Sequence, residues 1–130
     1  MKNFINTIRK TGPLRSKDHF SINASMVNTN GELSLWDLMQ ILNTVKGRRM
    51  NQLLIHPALK EKVTIMDLKI HRNAALGEEL IVESSFTPNG KRTVDLKVYV
   101  SRRMKGTPTR RVCKAVFTLC IHQDLTSSHS

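Results

Sequence analysis

Residues 34–54 read SLWDLMQILNTVKGRRMNQLL, and this stretch decides the fold. Its apolar residues recur at spacings of three and four, which is the period of an α-helix. Ser34 and Asp37 fit a capping box, so we expect the helix to begin at Ser34. Gly47 weakens the pattern, and Pro57 ends any helical continuation. The apolar positions cover more than a narrow stripe, which predicts a central, well-buried helix. They are Leu35, Leu38, Met39, Ile41, Leu42, Val45, Met50, Leu53 and Leu54.

The segment before this helix predicts a strand. Polar and apolar residues alternate from Lys17 to Val27, which is the period of a half-buried strand. The cluster Asn28-Thr29-Asn30-Gly31 follows, and its residue types favour a turn. The sequence therefore predicts a strand, a turn and then the long helix.

After the helix, four stretches alternate in the same way, at 66–71, 80–86, 94–100 and 113–121. The turn signal at 88–90, Pro-Asn-Gly, predicts a hairpin between the second and third stretches. The predicted architecture is α+β, with four strands in an antiparallel meander after the helix. One helix cannot cover five strands, and an open sheet has unpaired edges, so we expect a homodimer or a dimer of dimers.

The composition describes one soluble domain of 130 residues, 39% hydrophobic and 24% charged. Lys and Arg number 21 and Asp and Glu number 10, and the resulting net charge of +11 favours a polyanionic partner. Apolar runs fall short of the roughly 18 residues that a membrane helix needs. The N-terminus lacks a secretory signal, so we expect no membrane span and a cytoplasmic location. We divide the chain into an N-terminal extension 1–16, a single domain 17–123 and a flexible tail 124–130.

Cysteine and histidine usage predicts neither a disulfide nor a metal site. Cys113 and Cys120 lie on one predicted strand, on opposite faces and too far apart to bridge. The 5 His occur singly, and the sequence contains no Cys-x-x-Cys pair. We therefore expect no metal.

The stretch 63–84 reads VTIMDLKIHRNAALGEELIVES. It resembles the strand, the F-x-R-P-a-x-x-G-d-x-l turn and the next strand of the hotdog-fold thioesterase and dehydratase superfamily, in its thioesterase-like branch. Asn73 stands where Pro is common. The resemblance spans roughly Lys17 to Gln123. It implies a hotdog fold, in which a five- to six-stranded antiparallel sheet wraps one long central helix and the active site lies between two subunits.

The resemblance also implies a site at the helix N-terminus, where unpaired N–H groups can hold a thioester carbonyl. Gly31, Glu32 and Leu33 are placed for that role. Hydrolysis also needs a nucleophile or a general base, which the family supplies as a carboxylate near this turn or on the helix. Here Asn28 and Gln40 stand near the two acidic positions. An amide can orient water or donate to a carbonyl, but it cannot act as a base.

The acids that remain near the turn are Glu32 and Asp37. Glu32 is the candidate catalytic carboxylate, and the competing interpretation is a surface Glu that complements the helix dipole. For Asp37, helix capping competes with catalysis. Asn28 is a candidate for holding the attacking water. We expect Trp36 and Asn43 to line an acyl-binding cavity with the facing strands, and an ordinary solvated helix position is the alternative for Asn43.

Basic residues provide the second functional signal, because nine Lys and Arg lie between Lys91 and Lys114 against Asp95 alone. Coenzyme A offers a diphosphate and a 3′-phosphate, and acyl carrier protein offers an acidic helix. The alternative is a solvated sheet face that keeps an edge strand from aggregating. The predicted phosphate contacts are Lys91, Arg92, Arg102 and Arg103.

The sequence therefore predicts an acyl-thioester hydrolase that acts on acyl-CoA or acyl carrier protein, with coenzyme A as part of the substrate and no separate cofactor. The alternative is a non-catalytic acyl-CoA or acyl-carrier binding module, because amides stand where acids are usual. Nucleic-acid binding ranks third, since aromatic residues make up only 5% and no nucleic-acid-binding motif occurs. We expect Lys46, Arg48 and Arg49 to be exposed at the end of the helix.

Overall fold

The computed structural model describes residues 15–53, 59–88 and 93–123. Among these residues, one long helix packs on one antiparallel sheet with the strand order β1-β3-β4-β5-β2. This confirms the predicted α+β class. The elements are β1 at Arg15–Ser21, a short 3-10 helix at Ala24–Met26, α1 at Leu35–Leu53, β2 at Leu59–Ile70, β3 at Glu79–Pro88, β4 at Thr93–Arg103 and β5 at Arg110–Gln123.

Helix α1 begins where the capping box predicts. The Asp37 N–H donates to Ser34 Oγ at 3.1 Å, and the Ser34 hydroxyl donates to the Asp37 carboxylate. The helix is buried on one face only, and this buried face is narrower than the apolar pattern predicted. Leu35 is 59% exposed although it lies two turns before Leu42 on that face, so the buried face begins after the first turn. The buried apolar residues of the helix are Leu38, Ile41, Leu42, Val45 and Met50.

The prediction that Arg49 is exposed is wrong. Arg48 pairs with Asp18 of β1, but Arg49 is 0% exposed, and its guanidinium carbon lies 4.6 Å from the centre of the Phe86 ring. Burial lowers the pKa of Arg49, and the nearby Asp18 charge partly offsets this effect. The planar guanidinium is the cation best suited to such a buried position on an aromatic face.

The first strand is shorter than the alternation predicted. β1 ends at Ser21, and the Ile22 N–H then donates to the Glu78 carbonyl at 3.1 Å. The Asn23 side chain accepts from the Ser25 N–H at 3.0 Å and starts the 3-10 helix. A short polar side chain that satisfies local backbone groups thus ends the strand that apolar alternation alone would continue.

The four strands after the helix do not form one meander. β3, β4 and β5 follow one another as predicted, but β2 pairs with β5 at the far edge, where Ile70 lies opposite Cys113. The segment 71–78 therefore crosses the end of the sheet before β3 begins. This crossing brings the segment under the start of α1.

The buried face of the sheet is formed by alternate residues of its central strands. Cys113 lies in this face, whereas Cys120 points the other way and is half-buried, and both thiols are free as predicted. Burial raises the pKa of the Cys113 thiol to about 11, so the thiol is protonated and unreactive near neutrality. The central buried residues are Val94, Leu96, Val98 and Val100 of β4 and Ala115, Phe117 and Leu119 of β5.

No helix within the described ranges is long and apolar enough to cross a membrane. The side chains of the same ranges include no group of three His, Cys, Asp or Glu that is arranged for a metal ion. The predicted extension 1–16 and tail 124–130 fall mostly outside the described residues, and the domain limits and the cytoplasmic location stay predictions.

Candidate active site

The turn before α1 is built around Asn28. The Asn28 N–H donates to the Glu32 carbonyl at 2.8 Å, and the Gly31 N–H donates to the Asn28 carbonyl at 3.0 Å. The Asn28 side-chain oxygen accepts from the N–H groups of Asn30 at 2.9 Å and Glu32 at 3.2 Å. Gly31 has a φ of 75°, a backbone conformation that favours glycine. Residues 28–33, called the Asn28 turn below, therefore hold Glu32 in a fixed place.

The stretch that carries the hotdog resemblance supports this turn from the other side. The Leu33 N–H donates to the Ala74 carbonyl at 2.8 Å, and the Leu76 N–H donates to the Gly31 carbonyl at 2.9 Å. The buried Glu78 carboxylate accepts from the Ala75 N–H at 2.7 Å. The Asn28 turn and the loop 73–78 thus form one hydrogen-bonded unit at the start of α1.

Glu32 is held by one side chain of that loop. The Asn73 amide nitrogen donates to Glu32 Oε2 at 3.0 Å, and the Asn73 amide oxygen accepts from the Ala74 N–H at 3.0 Å. Because both ends of the Asn73 amide are engaged, it fixes the direction of the carboxylate. No donor of the described residues contacts Glu32 Oε1, so this oxygen is open to water or substrate.

The expected carbonyl-binding amides of the turn are already occupied, which corrects the prediction. The N–H groups of Gly31, Glu32 and Leu33 donate to Asn28 and Ala74, because the turn needs them for its own structure. The N–H groups of Leu35 and Trp36, in the first turn of α1, have no acceptor among the described residues. These two amides are the unpaired donors that a helix N-terminus leaves for an anion.

The predicted acyl-binding residues of the helix lie on its outer face. Trp36 is 71% exposed, and Gln40 and Asn43 follow it at spacings of four and three and are exposed as well. Met39 is half-buried and packs against the core. Within the described residues, the expected cavity between Trp36, Asn43 and the facing strands is therefore not formed.

Two of the predicted phosphate contacts already have partners. Arg102 lies 3.4 Å from Glu78, and Arg103 lies 3.2 Å from Glu79. Hydrogen bonds from His19 and then from Arg103 lower the pKa of Glu79. The other two predicted contacts, Lys91 and Arg92, lie outside the described residues.

A cleft of about 640 Å³ lies on the other side of the loop, between Ser21, Gly77 and the turn at 104–107. Glu78 and Glu79 line this cleft together with Arg103 and Lys105. Since each of the two acids is already paired with an arginine, the cleft holds little net charge. Of the predicted site residues, only Arg103 lines it.

Two residues of the site were missed by the sequence analysis. Asn73 gave a signal, because it departs from the Pro that is common at this position. Glu78 stands at the acidic position of the quoted turn motif, but its contacts with Ala75 and Arg102 depend on the fold and were not predicted.

Solved structures resemble this arrangement over most of the chain. A 4-hydroxybenzoyl CoA thioesterase from Pseudomonas sp. strain CBS-3 aligns with a TM-score of 0.70 at 11% identity and covers 84% of this chain and 85% of its own. The chain has the hotdog fold. The predicted fold is thereby confirmed. No protein-family model matches the sequence, and no curated protein matches it.

Two further hotdog structures show the same likeness. A hypothetical thioesterase from Streptococcus pneumoniae TIGR4, solved with coenzyme A, aligns with a TM-score of 0.66 at 18% identity, covering 87% of this chain and 85% of its own. A 1,4-dihydroxy-2-naphthoyl-CoA thioesterase from Synechocystis aligns with a TM-score of 0.65 at 9% identity, covering 84% and 82%. At such identities the likeness establishes the fold.

Proposed function

We propose that the protein hydrolyses acyl thioesters of coenzyme A or of acyl carrier protein. The observation that carries this proposal is the Glu32 carboxylate, which Asn73 holds at the start of α1 beside the two free helix amides. A carboxylate near an electrostatic site for a carbonyl oxygen is what thioester hydrolysis requires. The structural neighbours that are CoA thioesterases support the proposal.

The proposed mechanism uses the groups in place. The N–H groups of Leu35 and Trp36 polarise the thioester carbonyl and stabilise the charge that develops on its oxygen. Glu32 accepts a proton from water as the water oxygen attacks the carbonyl carbon. The C–S bond then breaks, the thiolate leaves, and Glu32 returns the proton to the sulfur. Asn28 cannot serve as the base, and its side-chain oxygen is occupied by two backbone N–H groups.

We also propose that the working unit is a homodimer or a dimer of dimers. Among the described residues, Trp36, Gln40 and Asn43 lie on the outer face of α1, and in this proposal a second copy supplies the wall for the acyl group. β2 is an edge strand of the sheet and offers unpaired backbone groups for such an association.

Thiol release from acyl-CoAs of varied chain length tests the proposed function. A thiol-reactive dye reports the product, and a sample without substrate corrects for Cys113 and Cys120. We expect turnover with at least one chain length. If no acyl-CoA releases thiol, and a parallel panel of acyl carrier proteins releases none either, the hydrolase proposal is wrong.

A binding module is the second candidate, because amides stand at Asn28 and Gln40, where the two related branches have acids. It predicts saturable binding of a non-hydrolysable acyl-CoA analogue without any product. Detectable turnover of the matching thioester would reject it.

A further inference from the structure

The exposed large apolar side chains of the described residues all lie at one end of the sheet. Glu79, the first residue of β3, pairs with Arg103 at the end of β4, and Arg102 pairs with Arg110 at the start of β5. β2 ends here as well, and the loop 73–78 meets the start of α1. This end of the sheet is called the loop end below. The apolar side chains are Leu35, Trp36, Ile70, Leu76 and Met104, and they are between 45% and 71% exposed.

Two of these side chains are separate from the proposed dimer contact. Met104 lies in the turn between β4 and β5 and lines the cleft together with Gly77, and Leu76 is the residue before Gly77. The segments that carry Leu76 and Met104 therefore meet at this cleft. The other three lie on α1 and on the edge strand β2, which are the elements of the proposed dimer. Single exposed apolar residues are ordinary on a protein surface, but a group of them marks a contact surface.

Four exposed cations lie next to these two side chains. Lys105 follows Met104, and Arg110 and Arg111 begin β5 on the other side of the turn. The Arg72 N–H donates at 3.3 Å to a backbone carbonyl near the start of β5, so Arg72 lies beside that strand. None of the four cations forms an ion pair within the described part of the chain. The loop-end surface is defined as Arg72, Leu76, Met104, Lys105, Arg110 and Arg111.

The acids at the loop end do not neutralise these cations. Glu78 and Glu79 are each paired with an arginine of β4. Glu32 and Asp37 are held at the start of α1 by uncharged partners, an amide and a hydroxyl. Even if both are counted against the four unpaired cations, the loop end stays positive.

Apolar side chains and cations together fit an anionic lipid surface. Anionic headgroups attract Lys and Arg, and apolar side chains enter the boundary between headgroups and acyl chains. A second copy fits this surface less well, because a two-fold contact would bring the cations of one copy against the same cations of the other. A nucleic-acid backbone would pair with the cations but leave Leu76 and Met104 without an apolar partner.

We propose that the loop-end surface docks the protein on an anionic lipid bilayer. Leu76 and Met104 enter the headgroup boundary, and the four cations contact lipid phosphates. The docking does not depend on the proposed hydrolase activity, and its test measures binding alone. Because the candidate site lies at the same end, a docked protein meets long acyl chains where they partition, in the bilayer.

Co-sedimentation with lipid vesicles tests the inference. The anionic vesicles contain equal parts of phosphatidylcholine and phosphatidylglycerol, and the neutral ones contain phosphatidylcholine alone. We expect the native protein to bind the anionic vesicles, with an affinity that falls as salt is added, and to bind the neutral ones far more weakly. The absence of binding to the anionic vesicles would overturn the inference.

A charge variant shows whether the cations of this surface are responsible. Lys105→Gln with Arg110→Gln should weaken binding to the anionic vesicles by about tenfold or more, since two contacts with headgroups are lost. The control is Arg15→Gln with Lys17→Gln, which removes the same charge from the half of β1 that is distant from the loop end. Its affinity should stay within about twofold of the native value. Equal losses in the two variants would indicate a diffuse attraction by net charge and overturn the proposed surface.

An apolar variant distinguishes lipid from other partners. Leu76→Ser with Met104→Ser should weaken binding by about fivefold or more, because less apolar surface enters the bilayer. Native affinity in this variant would indicate a surface for polyanions in general and overturn the inference, as would tighter binding of a DNA duplex than of the vesicles. A lower molar mass of the variant in light scattering would assign the two side chains to a second copy, with the same consequence. Should the double variant unfold, Met104→Ser alone, in an exposed turn, carries the same test.

Discussion

Two carboxylates lie five residues apart at the start of α1, and their surroundings differ. Asp37 is locked to Ser34, both through its own N–H and through its side chain, and so closes the capping box. Glu32 accepts from one side-chain amide and has its second oxygen free of described donors. The sequence treats both as candidates for catalysis.

The difference separates an acid with a structural contact from the candidate for proton transfer. Asp37 forms the capping hydrogen bonds with Ser34 at the helix N-terminus, so it contributes to the stability of the fold. Glu32 caps nothing with its side chain, although its backbone closes the turn. A carboxylate that is held in direction yet left accessible is suited to accept a proton.

Removing the amide that holds Glu32 should give the largest of the following effects. We expect Asn73→Ala to lower kcat by about tenfold, because a hydrogen bond to a charged group is lost and the carboxylate is no longer directed. Initial rates at saturating acyl-CoA measure this. Asn51→Ala, at an exposed position of α1, is the matched control. A native kcat in the Asn73 variant would show that Glu32 needs no positioning.

Removing the Ser34–Asp37 cap should lower the stability of the fold and leave kcat nearly unchanged. Asp37→Ala should cost about 1 kcal/mol of unfolding free energy, which is typical for the loss of a cap interaction. Its kcat should stay within about twofold of the native value. A tenfold loss, by comparison, would correspond to about 1.4 kcal/mol of activation free energy. Urea unfolding and steady-state rates measure the two quantities. A large loss of kcat in a folded Asp37 variant would return Asp37 to the catalytic candidates.

The smallest effect concerns Glu79, a third carboxylate of this region. Hydrogen bonds from His19 and Arg103 hold its pKa below the ordinary 4.5, so it stabilises the fold above the unfolded-state pKa. That stabilisation is lost as the pH falls through the folded-state pKa. The Tm difference between the native protein and Glu79→Gln should therefore be present at neutral pH and shrink below pH 4.5. A difference that is constant with pH would contradict this assignment.

Local patterns in the sequence predicted the local parts of the fold. The helix start at Ser34, the hairpin between β3 and β4 and the alternation in β5 all depend on neighbours within a few residues. The pairing of β2 with β5 is a non-local contact, and alternation alone does not specify which strands become neighbours. The burial of Arg49 likewise depends on Phe86, which lies in a distant strand.

The sequence predicted that Glu32 lies at the start of α1, but it did not predict the contacts around this residue. The sequence identified Glu32 and the helix N-terminus, because turn and cap residues are recognisable by type. It assigned the thioester carbonyl to backbone amides of residues 31–33, which the Asn28 turn uses for its own hydrogen bonds. The bond from the Leu33 N–H to the Ala74 carbonyl arises only when the loop 73–78 crosses the sheet. It chose Arg102 and Arg103 for phosphates, because their cross-strand carboxylates are not visible in one sequence.

In the proposed mechanism, Glu32 performs the proton transfer of thioester hydrolysis. Its most direct test is thiol release in a single turnover, with protein in excess over acyl-CoA, for the native protein and for Glu32→Gln. We predict that the variant binds acyl-CoA with native affinity and keeps its Tm but releases thiol at least about a hundredfold more slowly, as for the loss of a general base. Thiol release at the native rate by Glu32→Gln would show that Glu32 is not the general base.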